Sequence, residues 1–267
     1  MMSVSEPQLP PDQIARLHRR GGELLLLASL THDGGEMPVA WIEALAALAD
    51  RLGKSYPFAD ATYLGQMLKP PHPVAWAGYA MAMLLNSNNH AFDGGPATAH
   101  LEREAVDQIA RMLYQETHLS HLTASGTIAN LEALWVARSL HPDKVIVSGV
   151  QAHYTHARIS EVIGARHETI PATAHGTLDL AALEERLQKG GVGTVVATLG
   201  STGLGVLDPI DRIADLCEEH GARLHVDAAY GGFFALLADG NTPGVARAPF
   251  DALARADSIA IDPHKHG

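Results

Sequence analysis

Cysteine is nearly absent: Cys217 stands alone in 267 residues, so no disulfide can close within the chain and a reducing compartment is expected. Its setting, "DRIADLCEEHG", has helical apolar spacing, which makes it a core thiol. Positive charge is also scarce. Lys and Arg total 19 against 30 Asp and Glu, a formal net charge of −11. That balance repels nucleic-acid phosphates and anionic membranes, so neither is an expected partner, and any anionic ligand must be held locally. Long hydrophobic runs are missing as well: "LLLLASL" is too short to span a bilayer, and the opening "MMSVSEPQLPPDQ" has no basic segment leading into an apolar one. A cytoplasmic protein is expected. Neither an internal repeat nor a low-complexity segment is present.

What remains is ample for one large α/β domain plus an extension. Apolar spacing predicts helices over 11–30 and 37–52 with a turn, "THDGGE", between them. The proline-rich stretch 68–78, "LKPPHPVAWAG", is expected to run extended or turned, and 86–98, "NSNNHAFDGGPAT", to be an irregular loop. From about residue 100 the pattern alternates. "LEREAVDQIARMLY" and "TIANLEALWVARSL" have helical periods, whereas "KVIVS", "GTVVATLG", "RLHVD" and "SIAID" are strands. Asp179 is placed to cap the helix "LAALEERLQK", followed by Gly190, and Asp208-Pro209 to open a helix that ends at Gly221. Strand and helix in repeated succession argue for a mainly parallel sheet covered by helices, with right-handed crossovers.

In such a sheet ligands bind at the carboxyl ends of the strands. Thr198 and Thr202, Asp227 and Lys265 stand at or just past three of those ends. Singly, an Asp there is a turn former and a Lys a solvated charge; together they suggest chemistry. A desolvated lysine favours its neutral amine, the nucleophile needed to condense with an aldehyde, which points to pyridoxal phosphate. That cofactor needs a phosphate cradle, an anion at its ring nitrogen and a flat group against the ring. Ser125-Gly126-Thr127 opens a helix and supplies the cradle, although an ordinary Ser N-cap is the plainer reading. Asp227 supplies the anion, His153 the flat ring, and Ala229 a small residue beside it. The 16 histidines raise the question of metal. His118/His121 and His153/His156 are each three apart, but no further ligand follows at a zinc spacing, so no metal is expected.

With these residues in hand the sequence resembles the pyridoxal-phosphate-dependent amino-acid decarboxylases of the group containing the glutamate, aromatic-L-amino-acid and tyrosine enzymes. The resemblance rests on "HPVAWAGYAMAMLLN" (72–86), "PATAHLERE" (96–104), "ASGTIANLEALWVAR" (124–138), "QAHYTHARI" (151–159), "TLGSTGLGVLDPI" (198–210), "HVDAAYGGFF" (225–234) and "DSIAIDPHKHG" (257–267), in the family's order. It implies the fold-type I transferase fold, with a helical N-terminal segment and substrate-side loops over 1–98 and the cofactor-binding large domain over 99–267. It also implies Lys265 as the lysine that carries the cofactor, and His264 and Ser258 as phosphate neighbours beside Ser125, Gly126 and Thr127. Asp227 would meet the pyridine nitrogen. His153 would stack and assist proton transfer, and Thr202 would support the ring hydroxyl or His153. Ser201 stands where the family often has Thr, which keeps the hydroxyl. Asn89 and His90 are candidates for the substrate side, with an ordinary turn as the alternative. Family members continue past the lysine into a C-terminal small domain, so a truncated chain with an incomplete large domain is expected, homodimeric when full length. The implied activity is decarboxylation of an amino acid to an amine and CO₂, which the 267-residue chain alone is expected not to perform at a useful rate. Other carbon–carbon lyase or aldehyde-forming chemistry, a non-catalytic fragment that binds cofactor or partner chains, and a metal-dependent hydrolase stand as alternatives.

Overall fold

The computed structural model describes residues 38–267, apart from 59, 61, 64, 66–69, 239 and 267, together with isolated positions 12, 15 and 19. The helix expected over 11–30 and the "THDGGE" turn therefore lie outside the described residues, save for those three positions, each helical. Two compact units divide the chain, Met1–Pro70 and Pro71–Gly267. In the first, α1 (Val39–Leu52) matches the helix expected over 37–52, and Tyr56, Phe58 and Tyr63 form an edge-on aromatic group.

The second unit opens with α2 (Pro73–Leu85), which overturns the extended reading of 68–78 from residue 73 onward. Proline disrupts a helix only where an N–H is needed. Pro73 occupies the first turn, where none is, and the His72 Nδ1 caps the end by accepting the Val74 N–H at 3.3 Å. Asn86, in a left-handed conformation, closes the helix, and the irregular stretch runs on to Gly95; residues 96–98 already belong to α3 (Pro96–Met112). Next come α4 (Gly126–Leu140), β1 (Val145–Gly149), α5 (Thr155–Val162), β2 (His167–Ile170), α6 (Leu180–Gln188), β3 (Val192–Thr198), α7 (Ile210–His220) and β4 (Arg223–Ala228). A 3₁₀ turn (Gly232–Leu237), the short α8 (Ala248–Asp251), a second 3₁₀ turn (Ala252–Arg255), β5 (Ser258–Ile261) and the one-turn α9 (Pro263–His266) complete it.

The five strands form one parallel sheet in the order β2-β1-β3-β4-β5. Every residue of β1 and β3 is buried, as continuous Val- and Ile-rich runs require when helices cover both faces. On one face Leu183, Leu187, Ile210, Ile213, Leu224, Phe250 and Leu253 form the larger core; on the other Leu134, Ile146, Ile159 and Val196 join α4 and α5 to the strands. Cys217 is buried in the larger core, and burial pushes its thiol up to about 12, so it is the inert core thiol expected.

Two capping expectations fare differently. Asp179 caps α6 by accepting the N–H groups of Ala181 and Ala182. Asp208 does not cap α7. Its buried carboxylate turns back to accept the Leu178 N–H at 2.7 Å and the Thr198 N–H at 2.8 Å, which pins the carboxyl end of β3. The strand β2 was not foreseen, because "HETI" is polar; it is held at the sheet edge by pairing with β1 and by a two-pronged Arg186–Glu168 contact at 2.6 and 3.3 Å.

Chain reversal after β4 depends on the absence of a side chain. A Cβ at Gly231 would lie 2.1 Å from the Leu199 carbonyl oxygen, backbone that cannot swing aside. Gly231→Ala should therefore cost about 1–3 kcal/mol of stability, read as a lower urea midpoint at unchanged slope. An unchanged midpoint would show that the two loops are free to separate.

Candidate active site

Strand order reverses between β1 and β3, since the chain leaves β1 for β2 on one side and returns to β3 on the other. The carboxyl ends beside such a switch point form a natural crevice. A cavity of about 650 Å³, counted out to its open mouth, lies there. Its walls come from five places: Ser125, Gly126, Thr127 and Asn130 from the start of α4; His153 and Thr155 after β1; Thr198, Gly200 and Thr202 at and after the end of β3; Asp227, Ala229 and Tyr230 at and after the end of β4; Asp262 and Lys265 after β5.

One side of the cavity is the N-terminus of α4, a group chemically suited to an anion. Ser125 is an N-cap, its Oγ accepting the Ile128 N–H at 3.3 Å, so the plainer reading of this residue is realised alongside its place in the cavity wall. The first N–H groups of a helix have no intrahelical acceptor and point outward, with the helix dipole behind them. The Asn130 Nδ2 donates to the Gly126 carbonyl at 2.8 Å and so fixes that turn from below. With Nδ2 thus assigned, Oδ1 must accept, and the His225 Nε2–H reaches it at 2.8 Å; His225 Nδ1 then accepts the Ser258 hydroxyl at 2.9 Å. A buried chain of three side chains thus ties the cradle to β4 and β5.

Asp227 joins the same cavity wall from the end of β4. It is only 5% exposed, faces Thr198 in the β3–β4 register, and accepts the Ala229 N–H on Oδ1 at 3.1 Å and the His156 Nε2–H on Oδ2 at 2.9 Å. Burial pushes its carboxyl up, but the His156 hydrogen bond and charge, with the Ala229 N–H, outweigh that and hold it at about 2. His153 lines the cavity from the turn after β1. Its Nδ1 accepts the Thr155 N–H at 3.3 Å and meets the Thr155 hydroxyl at 2.9 Å, which leaves the ring proton on Nε2; burial, partly offset by Asp227, lowers its pKa. Lys265 is half-buried on α9 and lines the cavity.

Nine expected residues thus converge, and four do not. Ser258 begins β5, at the end of the strand away from the cavity, and spends its hydroxyl on His225. His264 is exposed, its N–H given to the Asp262 Oδ1 at 3.1 Å. Asn89 is exposed and bonded to Glu102 at 3.1 Å, and His90 donates its N–H to Asn88 within a local turn. His266, the other imidazole beside Lys265, packs edge-on against Tyr230 and Phe234. The sequence reading missed His156, Asn130 and His225 as parts of the site; their partners lie 71 and 95 residues away, and no local pattern announces them. Among the described residues no group of His, Cys, Asp or Glu is arranged to hold a metal ion, and no helix is long and apolar enough to cross a membrane. His118 and His121 instead pair with Asp107 and Glu132.

Because His225 is buried, and because the charge on His156 opposes its own, its folded-state pKa falls to about 4. Between there and the ordinary value of about 6.5 the unfolded chain binds a proton that the folded chain refuses, so stability falls as pH falls. Going from about pH 7 to about pH 5 should cost about 1–2 kcal/mol through this residue. In His225→Gln, whose amide still donates to Asn130, urea unfolding should lose that increment of acid sensitivity; identical pH slopes would refute the assignment.

Residues 71–267 match the pyridoxal-dependent decarboxylase conserved domain. The chain is 30% identical over 230 residues to a probable L-aspartate decarboxylase of Pyrococcus furiosus, covering 84% of this chain and 60% of that protein. It is 31% identical to the L-aspartate decarboxylase of Thermococcus kodakarensis, again over 84% of this chain and 58% of the other. Among solved structures, mouse CSAD superposes with a TM-score of 0.76 at 24% identity over 97% of this chain and 55% of that one, a likeness of fold. The chain thus spans about 60% of the length of the curated relatives it matches.

Proposed function

The chain belongs to the pyridoxal-dependent decarboxylase family, and from that premise we propose that its cavity serves the decarboxylation of an α-amino acid to an amine and CO₂. The observation that carries this reading is the convergence of four groups on one cavity: a helix N-terminus at Ser125–Thr127, an amine at Lys265, a planar imidazole at His153 and a buried carboxylate at Asp227.

The family's cofactor, pyridoxal phosphate, fits these residues. A phosphate suits the α4 N-terminus, a cationic ring nitrogen suits an ionised Asp227, and the Thr198 hydroxyl, buried in the cavity wall with no partner among the described residues, offers a further polar contact. Lys265 would hold the aldehyde carbon. When bound, the cofactor supplies a ring that accepts the electron pair released as CO₂ leaves. The protein's own residues do the rest. Asp227 keeps negative charge where positive charge must be balanced, with both oxygens anchored so that it cannot swing away. His153 lies against the cavity with its proton on Nε2, held in that tautomer by Thr155, and is placed to stack and to move a proton at that atom. Thr202, on the same wall, supports the ring hydroxyl or His153.

A homodimer agrees with the surface. The α2 helix, "PVAWAGYAMAMLL", buries none of its residues, and Val74, Tyr79, Met81 and Leu85 are each about 70% exposed. A cytoplasmic location agrees with the lone cysteine and the negative charge.

Two outcomes are expected. Lys265→Ala should abolish the borohydride-reducible bond to pyridoxal phosphate, with the label mapping to Lys265 in the unsubstituted chain; a label elsewhere overturns the assignment. Supplied with cofactor and a panel of amino acids headed by aspartate, glutamate and tyrosine, for which relatives are named, a form of the protein completed with the C-terminal portion of such a relative should release CO₂ and the matching amine. Bound cofactor with an aldehyde product, or with no CO₂ from any member, would refute the decarboxylase reading.

A further inference from the structure

His156 has no place in the cavity wall, yet it makes the closest side-chain contact to the residue on which the ring end depends. It sits in the first turn of α5, 1% exposed, and its Nε2 is 2.9 Å from the Asp227 Oδ2. Its Nδ1 is buried with no hydrogen-bond partner among the described residues. Had the fold needed only an apolar filler there, an aliphatic side chain would have avoided an orphaned nitrogen, which carries a desolvation cost. The polar ring is therefore retained for what Nε2 does.

We propose that His156 is a positioning residue, whose Nε2–H holds the Asp227 carboxylate ionised and turned toward the cavity. This rests on the reading above that Asp227 faces the ring nitrogen. A carboxylate on a strand end rotates about two bonds, and a single backbone contact leaves one of them free. The Ala229 N–H on Oδ1 and the imidazole N–H on Oδ2 together fix both, with Asp227 held in the cavity wall. At 5% exposure water cannot make up for a lost donor. Without His156, burial would favour a protonated Asp227, and a neutral acid no longer balances a positively charged ring nitrogen. The other titratable groups facing this pair are His225, whose ring centroid is 6.3 Å from that of His156, His153 across the cavity, His167 on β2 and Lys265 on α9. None of them donates to Asp227 in the structure; the imidazole on α5 does.

The test compares the unsubstituted chain with His156→Leu, which removes the donor, and His156→Gln, whose terminal amide can replace it. In cofactor-free protein, a carboxyl-carbon NMR titration should show Asp227 ionised from about pH 8 down to about pH 4 in the unsubstituted and Gln forms, and titrating within that window in the Leu form. Pyridoxal phosphate should bind about tenfold or more weakly to the Leu form and within about threefold of normal to the Gln form. The absorbance spectrum of bound cofactor should shift in the Leu form alone. If Asp227 in His156→Leu stays ionised throughout, the proposal fails. Should the Leu form not fold, the unsubstituted chain still decides, because a long-range proton–nitrogen spectrum must show the His156 proton on Nε2; an unprotonated Nε2 overturns the proposal. Failure of the unsubstituted chain to bind cofactor would count against the functional reading instead, leaving the carboxylate titration to judge His156.

Discussion

An ionised carboxylate with almost no access to water is among the most costly groups a fold can carry, and Asp227 is that group here. Much of the second unit is arranged around keeping it charged. Strand β4 delivers it to the rim, β3 sets Thr198 opposite it, the turn into "AAYGG" offers the Ala229 N–H, and α5 comes across the sheet to present His156. Gly231 and Gly232 let the chain reverse soon after β4, pressed against Leu199 and Ile261. Asp208 contributes at one remove. By anchoring the Thr198 N–H it holds the end of β3, and burial raises its own carboxyl pKa while the Leu178 and Thr198 N–H groups pull it down.

The α4 side of the cavity is built by a different economy of groups. Where Asp227 is held by direct donors, the α4 cradle is held through Asn130, His225 and Ser258, each with its hydrogen-bonding role forced by the next. The direction of that chain starts at the Gly126 carbonyl, which can only accept. Buried networks of this kind are favourable when every member is satisfied and costly when one is not. Ser258 therefore matters to the anion end without touching it, and its hydroxyl acts from the wrong end of β5 to be a ligand.

That contrast also explains how much of the molecule was legible in the sequence. The strands β1, β3, β4 and β5 were visible because buried parallel strands read as short β-branched runs. The edge strand "HETI" was not, because its stability comes from its neighbour and from Arg186 rather than from apolar residues. The start of α2 was hidden by prolines whose meaning depends on whether they fall before a helix or in its first turn. At the site, residues at strand ends and at a helix start could be named because position alone gives them a place on the rim. Those that act through a partner could not: His156 carried no expected role beyond a spacing that fits no metal motif, Ser258 stood as a phosphate neighbour, and each makes its contact with a residue far away in the chain.

The charge distribution along the crevice follows from the same geometry. A chain of net charge −11 that takes a phosphorylated ligand must keep its acids away from the phosphate, yet Asp262 lines the cavity close to Gly126, where a Cβ would lie 3.4 Å from its Oδ2. Its Oδ1 is taken by the His264 N–H, so this carboxylate is spent on starting the one-turn helix that carries Lys265. An acid next to the cradle is thus the means by which the amine is aimed, and its charge is partly offset by that N–H and by the α4 dipole. Asp227 lines the same cavity from the end of β4, where a positive ring nitrogen would need it. Helix N–H groups from α4 and a carboxylate from β4 in one cavity would suit a ligand that carries charges of both signs and favour one orientation of it, with His153 and Lys265 on the same walls.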